Sequence, residues 1–309
     1  MIKVEYKDVD NLKKAYVNLF KIGMLQNGLD CAVGFYPELN RIVSRFADVK
    51  QMLVADFDVL TDLYFDYQGL RSSMDATAFN DMDVFLSSVF NYKTRQSRIA
   101  KFFMEDKNGF EIHTCHYCDM AYINVFAKDE DGEKMNHFDL DHVLDKAKCP
   151  LVALSLFNFV PSCQVCNEKL KHSTLIGSET NPAEVKKLSP TSKNYDFKNN
   201  VLIGVDPFPA AGDDYIANPD KYTIKFTPIG DKSYMKVEEL FHLRERYDYH
   251  KLEALRLLQL KHDYEDSHIR DIADLLGRTF EDVKEDIFGE DFTNTNHRCF
   301  SKLKSDILK

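Results

Sequence analysis

No stretch of this 309-residue chain approaches the ~18–20 uninterrupted apolar residues that a membrane helix requires. Its opening residues, Met1-Ile2-Lys3-Val4-Glu5-Tyr6-Lys7, hold no long apolar run and no small-residue cleavage site. A cytoplasmic protein with no membrane partner is therefore expected. A glycine-rich phosphate loop is missing, which argues against an ATPase site within the chain, and neither an internal repeat nor a low-complexity tract is present. Positive charge is also in short supply: 40 basic side chains stand against 50 acidic ones, a formal net charge of −10. That balance argues against a surface coated throughout with nucleic-acid-binding charge, yet it leaves room for one local basic site. With 44% hydrophobic and 29% charged residues the chain is not a mostly disordered one. Its length accommodates about two domains with real cores.

Apolar periodicity divides the sequence into four segments. Residues 1–108 read as helical: Leu39, Ile42, Val43, Phe46, Val49 and Leu53 recur at steps of three and four, behind a Pro37 suited to a helix start. Gly69 and Ser72-Ser73 are expected breaks, and Asp56, Asp58, Asp62 and Asp66 read as the solvated side of a helix. Residues 233–309 are helical again, with Leu240, Leu243, Tyr247, Ala254, Leu257 and Leu258 at helical spacing. The proline- and glycine-bearing stretch 181–232 reads as an irregular extension, and 109–180 holds the cysteine motifs. The expected fold class is α+β, mostly helical. Charge is distributed unevenly across these parts: residues 1–92 carry −4, 93–198 carry zero and 199–309 carry −6.

Seven cysteines are present, an odd number, and four of them form the pairs Cys115-His116-Tyr117-Cys118 and Cys163-Gln164-Val165-Cys166. In a chain without a secretory start this reads as metal binding rather than a disulfide framework. Two Cys-x-x-Cys turns bring four thiolates to one ion, the ligand set of a structural Zn²⁺ site, whereas buried or redox-active pairs are the alternative. The 44 residues between Cys118 and Cys163 exceed the span of a compact zinc ribbon, so they enclose something. Enclosed is Phe138-Asp139-Leu140-Asp141-His142-Val143, whose alternation predicts a short strand. A second strand is expected at 159–162, and Asn167-Glu168-Lys169-Leu170-Lys171 opens a helix.

This order of strand, loop, strand and helix, with Asp-His on the first strand, Asn158 between and Cys-Asn after the second knuckle, resembles the HNH endonucleases of the ββα-metal fold. The resemblance covers roughly residues 110–180, about a quarter of the chain. It implies a small zinc-stabilised HNH core at 109–180 between N- and C-terminal helical regions, and hydrolysis of DNA phosphodiester bonds. It further implies that His142 deprotonates the attacking water, and that Asp141 and Asn167 hold a catalytic Mg²⁺ or Mn²⁺. Asn158 would pin the inter-strand loop so that His142 is correctly aimed. Asp139 helps orient the site or faces solvent. His172 lies where some relatives carry a histidine that approaches the metal or the phosphate. One departure is plain: many members continue Asn-x-x-Lys, whereas here the residue three after Asn167 is Leu170, with Lys169 and Lys171 on either side.

Lys93, Arg95, Arg98 and Lys101 form a basic run with no acidic residue among them. Together with Lys169 and Lys171 they are candidates for sequence-independent phosphate contacts. The acidic flanks suggest a protein partner, either a second copy of the chain or a separate sensor or ATPase subunit. In this respect the chain is similar to HNH subunits of bacterial anti-phage systems, such as the nuclease of Septu-type pairs. The competing readings are a zinc-ribbon nucleic-acid-binding module and an adaptor with a non-catalytic HNH core. Asp129-Glu130-Asp131-Gly132 reads as a hairpin turn.

Overall fold

The computed structural model describes residues 1–128, 133–210, 214–289 and 298–308; the expected turn at 129–132 lies outside them. The architecture is α+β and mostly helical, with small two-stranded sheets, in agreement with the expected class. Among the described residues no helix is long and apolar enough to cross a membrane. Two compact units are formed. One comprises Lys3–Ile112 and Ile123–Tyr195; the other comprises Met1–Ile2, His113–Tyr122 and Asp196–Lys309.

The first unit opens with helices α1 (Val9–Val17), α2 (Ile22–Phe35), α3 (Pro37–Val43), α4 (Val49–Leu53), α5 (Phe57–Ser73), α6 (Ala76–Val89) and α7 (Gln96–Met104). The stripe from Leu39 to Leu53 lies on two helices rather than one continuous helix. Asp48 takes an extended conformation and its carboxylate accepts from Gln51 N at 2.9 Å, so it starts α4 as an N-cap. Conversely, α5 runs straight through Gly69, because burial of Tyr64, Tyr67 and Leu70 outweighs the modest helix cost of one glycine. Gly28 is required by packing: a Cβ there would meet Val89 Cγ1 at 2.7 Å where α2 lies on α6. The acidic set that reads as solvated has partners, with Asp58 accepting from Ser192 and Asn194, and Asp62 pairing with Lys186.

Strands β1 (Asn124–Ala127) and β2 (Lys134–His137) form an exposed antiparallel hairpin. Strands β3 (Asp139–His142) and β4 (Phe159–Ser162) pair antiparallel with Asp139 opposite Ser162, Asp141 opposite Val160 and His142 opposite Phe159. The loop between them is buried, with Val143, Leu144, Cys149, Leu151, Val152, Leu154 and Leu156 all in the core. Loops normally stay on the surface because their backbone polar groups need water. Here the helices supply partners instead. Tyr16 Oη donates to Leu154 O at 2.8 Å, Gln68 Nε2 to Lys148 O at 2.8 Å, and Ser155 Oγ to Met52 O at 3.4 Å. After β4 the chain turns into a π-helical segment, Val165–Lys171, and then α8 (Pro182–Leu188).

The second unit holds α9 (Phe197–Asn200) and the antiparallel pair β5 (Val201–Asp206) and β6 (Thr223–Pro228). Helices α10 (Met235–Leu240), α11 (Leu243–Tyr249), α12 (Lys251–Asp263), α13 (Asp266–Leu276), α14 (Phe280–Phe288) and α15 (Ser301–Leu308) follow. The periodic run 240–258 is thus three helices, interrupted where His242 takes a left-handed conformation at φ 47° and where His250 ends α11. Both edges of the β-ribbon are capped by carboxylates: Ile203 N donates to Asp306 and Ile224 N to Asp248, each at 2.8 Å.

Burial pushes the Cys149 thiol up to about 12, partly offset by backbone N–H groups of Leu151 and Val152, while Cys31 on α2 is exposed. Iodoacetamide at pH 8 is expected to alkylate Cys31 in the native protein and leave Cys149 intact until denaturant is added, read by peptide mass mapping. Native-state modification of Cys149 would show that the 143–158 loop is not the buried core described.

Candidate functional site

The first Cys-x-x-Cys knuckle is a tight turn closed by backbone bonds, with Cys115 N donating to Ala121 O and Asp119 N to Cys115 O, both at 2.9 Å. Asp119 sits at φ 56°, a left-handed position that aspartate tolerates better than most residues. Its buried carboxylate accepts from Ser301 Oγ at 3.0 Å and Lys302 N at 2.9 Å, and so caps the start of α15. Burial raises the Asp119 carboxyl to about 6, against the lowering effect of these bonds and of the terminal ammonium. Tyr247 Oη donates to Cys118 O at 2.8 Å, and Tyr117 stacks on Phe241 with ring centroids 4.6 Å apart. None of Asp119, Tyr247 and Ser301 is marked by the sequence, since the latter two join the knuckle from more than a hundred residues away.

The second knuckle leads directly into the π-helical segment, whose first turn is closed by Asn167 N donating to Cys163 O at 3.0 Å. The sulfurs of Cys115, Cys118, Cys163 and Cys166 all lie within 4.8 Å of one another, three of the cysteines buried and Cys163 partly so. A tetrahedron with Zn–S of about 2.3 Å has edges of about 3.8 Å, and four thiolates are the donor chemistry of structural zinc. Among the described residues this is the one group of three or more histidine, cysteine, aspartate and glutamate ligand atoms close enough to share an ion. The expected cysteine cluster is therefore present as a site able to hold a metal.

His142 ends β3 and is almost fully buried. Its Nε2 lies 2.9 Å from Ala153 O. A carbonyl can only accept, so Nε2 carries the proton and Nδ1 is the basic nitrogen. The ring is gripped edge-on by Tyr92 at 4.5 Å and by Phe159 at 4.7 Å between centroids. Burial, with Lys146 and then Lys171 acting in the same direction, lowers the imidazole to about 3, against the raising effect of the Ala153 bond. It is neutral at physiological pH.

Asn158 is fully buried and saturates three backbone groups: its Oδ1 accepts from Leu144 N at 2.8 Å, and its Nδ2 donates to Leu144 O and Val152 O at 3.0 Å each. It therefore fastens the loop that presents Ala153 O to His142.

The other strand positions are engaged with one another. Lys171, expected at a phosphate, is 1% exposed. Its Nζ lies 3.1 Å from each carboxylate oxygen of Asp141 and 2.9 Å from His142 O. Asp141, expected to ligate a divalent ion, is itself buried at 3% exposure. Asn167 turns its amide nitrogen to Asp139 Oδ2 at 3.2 Å, so Asp139 is engaged within the site. The His172 side chain is exposed, with Nδ1 3.2 Å from Ser173 Oγ.

Two basic residues of the 93–101 run are already committed. Arg95 donates to Asn91 O at 2.8 Å, and burial followed by Arg98 lowers its guanidinium. Arg98 donates to Leu19 O at 2.7 Å. The side chains of Lys93, Lys101 and Lys169 are exposed and make no hydrogen bond or ion pair among the described residues. Lys93 follows Tyr92, the residue that packs on His142, so the run starts beside the imidazole. Two residues at this edge escape sequence reasoning: Tyr92, and Lys146, whose Nζ lies 5.4 Å over the Tyr92 ring. Only the position of Tyr92 immediately ahead of the basic run hinted at it.

Asn158→Ala removes three bonds and strands buried backbone groups, so a loss of about 3 kcal/mol in urea unfolding is expected; an unchanged midpoint would contradict the pinning role. Purified protein is expected to contain one zinc per chain by elemental analysis, falling toward zero in Cys115→Ser and Cys166→Ser with a lowered Tm. Full zinc retention in either variant would exclude a four-thiolate site. Comparison with protein-family models, curated proteins and solved structures returns no match for this chain.

Proposed function

We propose that the chain is an HNH-type endonuclease hydrolysing DNA phosphodiester bonds, with Cys115, Cys118, Cys163 and Cys166 holding a structural zinc ion. One observation carries this reading: a neutral His142 whose Nε2–H is held by the carbonyl of a loop that Asn158 fastens. An imidazole so held has one defined basic nitrogen, and that is what activation of a water for attack on phosphorus requires. The strand, buried loop, strand and helical turn around His142 support this reading.

In this reading His142 Nδ1 takes the proton of the attacking water, a step that the lowered pKa of the buried imidazole makes harder than it would be near neutrality. Asn158 acts through the loop, as a positioning residue. Lys93, Lys101 and Lys169 supply phosphate contacts independent of base sequence. A divalent ion held by Asp141 and Asn167 does not fit the arrangement described, since both Asp141 oxygens face the Lys171 ammonium. No step is assigned to such an ion. The acidic flanks, −4 over 1–92 and −6 over 199–309, favour a protein partner that delivers the nucleic acid. A second copy or a sensor or ATPase subunit of a bacterial defence system would serve.

The second reading, a nucleic-acid-binding or adaptor protein with a non-catalytic core, draws support from the same burial of His142 and the closed Asp141–Lys171 pair. Incubation of the zinc-containing protein with plasmid DNA, with and without Mg²⁺ or Mn²⁺, separates the two. Nicking by the wild type and a loss of roughly 10²–10⁴-fold in His142→Ala are expected. Undiminished nicking by the variant would overturn the mechanism, and absence of nicking by both would favour the adaptor.

A further inference from the structure

The Lys171 ammonium donates to Asp141 Oδ1 at 3.1 Å and to His142 O at 2.9 Å, and it lies 3.1 Å from Asp141 Oδ2 as an ion pair. A lysine paired in this way, with its side chain only 2% exposed, is not held in reserve for a ligand. It is equidistant from the two carboxylate oxygens, as a cation bound through both would be. We propose that Lys171 is the resident cation of Asp141, so that this carboxylate binds no Mg²⁺ or Mn²⁺ while the lysine is seated.

Three physical arguments support the assignment. Steric room is the first: a hydrated Mg²⁺ needs near-octahedral oxygen ligands at about 2.1 Å and keeps several waters, and a carboxylate with 4% of its side chain exposed has no space for them beside an ammonium. Charge is the second. In a poorly polarisable interior, a divalent ion within a few ångströms of a fixed ammonium is repelled far more strongly than it would be in water, so one cation or the other occupies the carboxylate. Local geometry is the third. The π-helical segment closes with His172 N donating to Asn167 O at 2.8 Å, a wide turn that aims Lys171 inward and leaves Lys169 exposed. The residue three after Asn167 is apolar Leu170, so the inward position four residues on is the one that supplies the charge. On the same face of β3, Asp139 accepts through one oxygen from the Asn167 amide.

The inference concerns the site of the proposed nuclease but is read by ion binding, so its failure and the failure of the nuclease reading are distinguishable. Zinc-loaded full-length protein is titrated with Mn²⁺, and free Mn²⁺ is followed by its electron paramagnetic resonance signal. Wild type and Asp141→Asn are expected to take up equal amounts. Lys171→Met, which keeps the volume and removes the charge, is expected to take up one further Mn²⁺ per chain, lost again in Lys171→Met/Asp141→Asn. Uptake by wild type that Asp141→Asn abolishes would overturn the proposal. So would a Lys171→Met variant with wild-type circular dichroism and zinc content that gains none. Should Lys171→Met not fold, the wild-type and Asp141→Asn comparison decides alone: equal uptake upholds the resident ammonium and unequal uptake refutes it.

Discussion

Three hydrogen bonds from one buried amide, that of Asn158, are the constraint on which the candidate site depends. The loop between β3 and β4 is apolar enough to be driven into the core, but its backbone carries polar groups that burial would leave without water. Asn158 reconciles the two requirements by bonding Leu144 N, Leu144 O and Val152 O at once. With the loop so fastened, Ala153 O stands where it fixes the protonated nitrogen of His142. Helices α1 and α5 reinforce the same loop from outside through Tyr16 and Gln68. The helical N-terminal region is thus the scaffold of the strand site.

The charges of the site follow a second rule, that buried ionic groups persist only when paired and hydrogen-bonded. Adjacent residues of a strand point to opposite faces. Asp141 shares its face with Asp139, Ser162 and Val160, whereas His142 shares the other with Phe159. The imidazole accordingly sits among aromatic rings and is neutral, while the carboxylate side gathers Lys171 and Asn167. A buried pair of this kind adds little net stability and serves to fix one arrangement of its surroundings. Here it locks the segment after the second knuckle against β3. The second cysteine pair and the partners of the strand carboxylates thereby share a single short stretch, residues 163–171.

Much of this was legible in the residues themselves. The strand at 159–162 and the helical opening at 166–167 fall where alternation and polarity placed them, and the four cysteines gather as their spacing required. Helix boundaries were legible only in part. Periodicity records which residues are buried but not where the backbone breaks, so Asp48 and His242 divide runs that look continuous. Gly69 does the reverse, because the packing of Tyr64 and Tyr67 keeps α5 whole. Asp119, capping α15 from 182 positions away, had no local signature at all.

The sequence by itself settled the chemical inventory: a mostly helical α+β chain, two Cys-x-x-Cys turns, Asp-His on a strand, an asparagine between strands and lysines after the second knuckle. These are local properties, set by residue type and spacing of a few positions. Tertiary structure alone decided which groups are available. It turned Lys171 inward to Asp141 and left Lys169 exposed, committed Arg95 and Arg98 to backbone carbonyls, and brought Tyr92 onto a histidine 50 residues away. The reason is physical: charge and reactivity depend on burial and on partners distant in sequence, and no spacing rule encodes the desolvation that a folded core imposes.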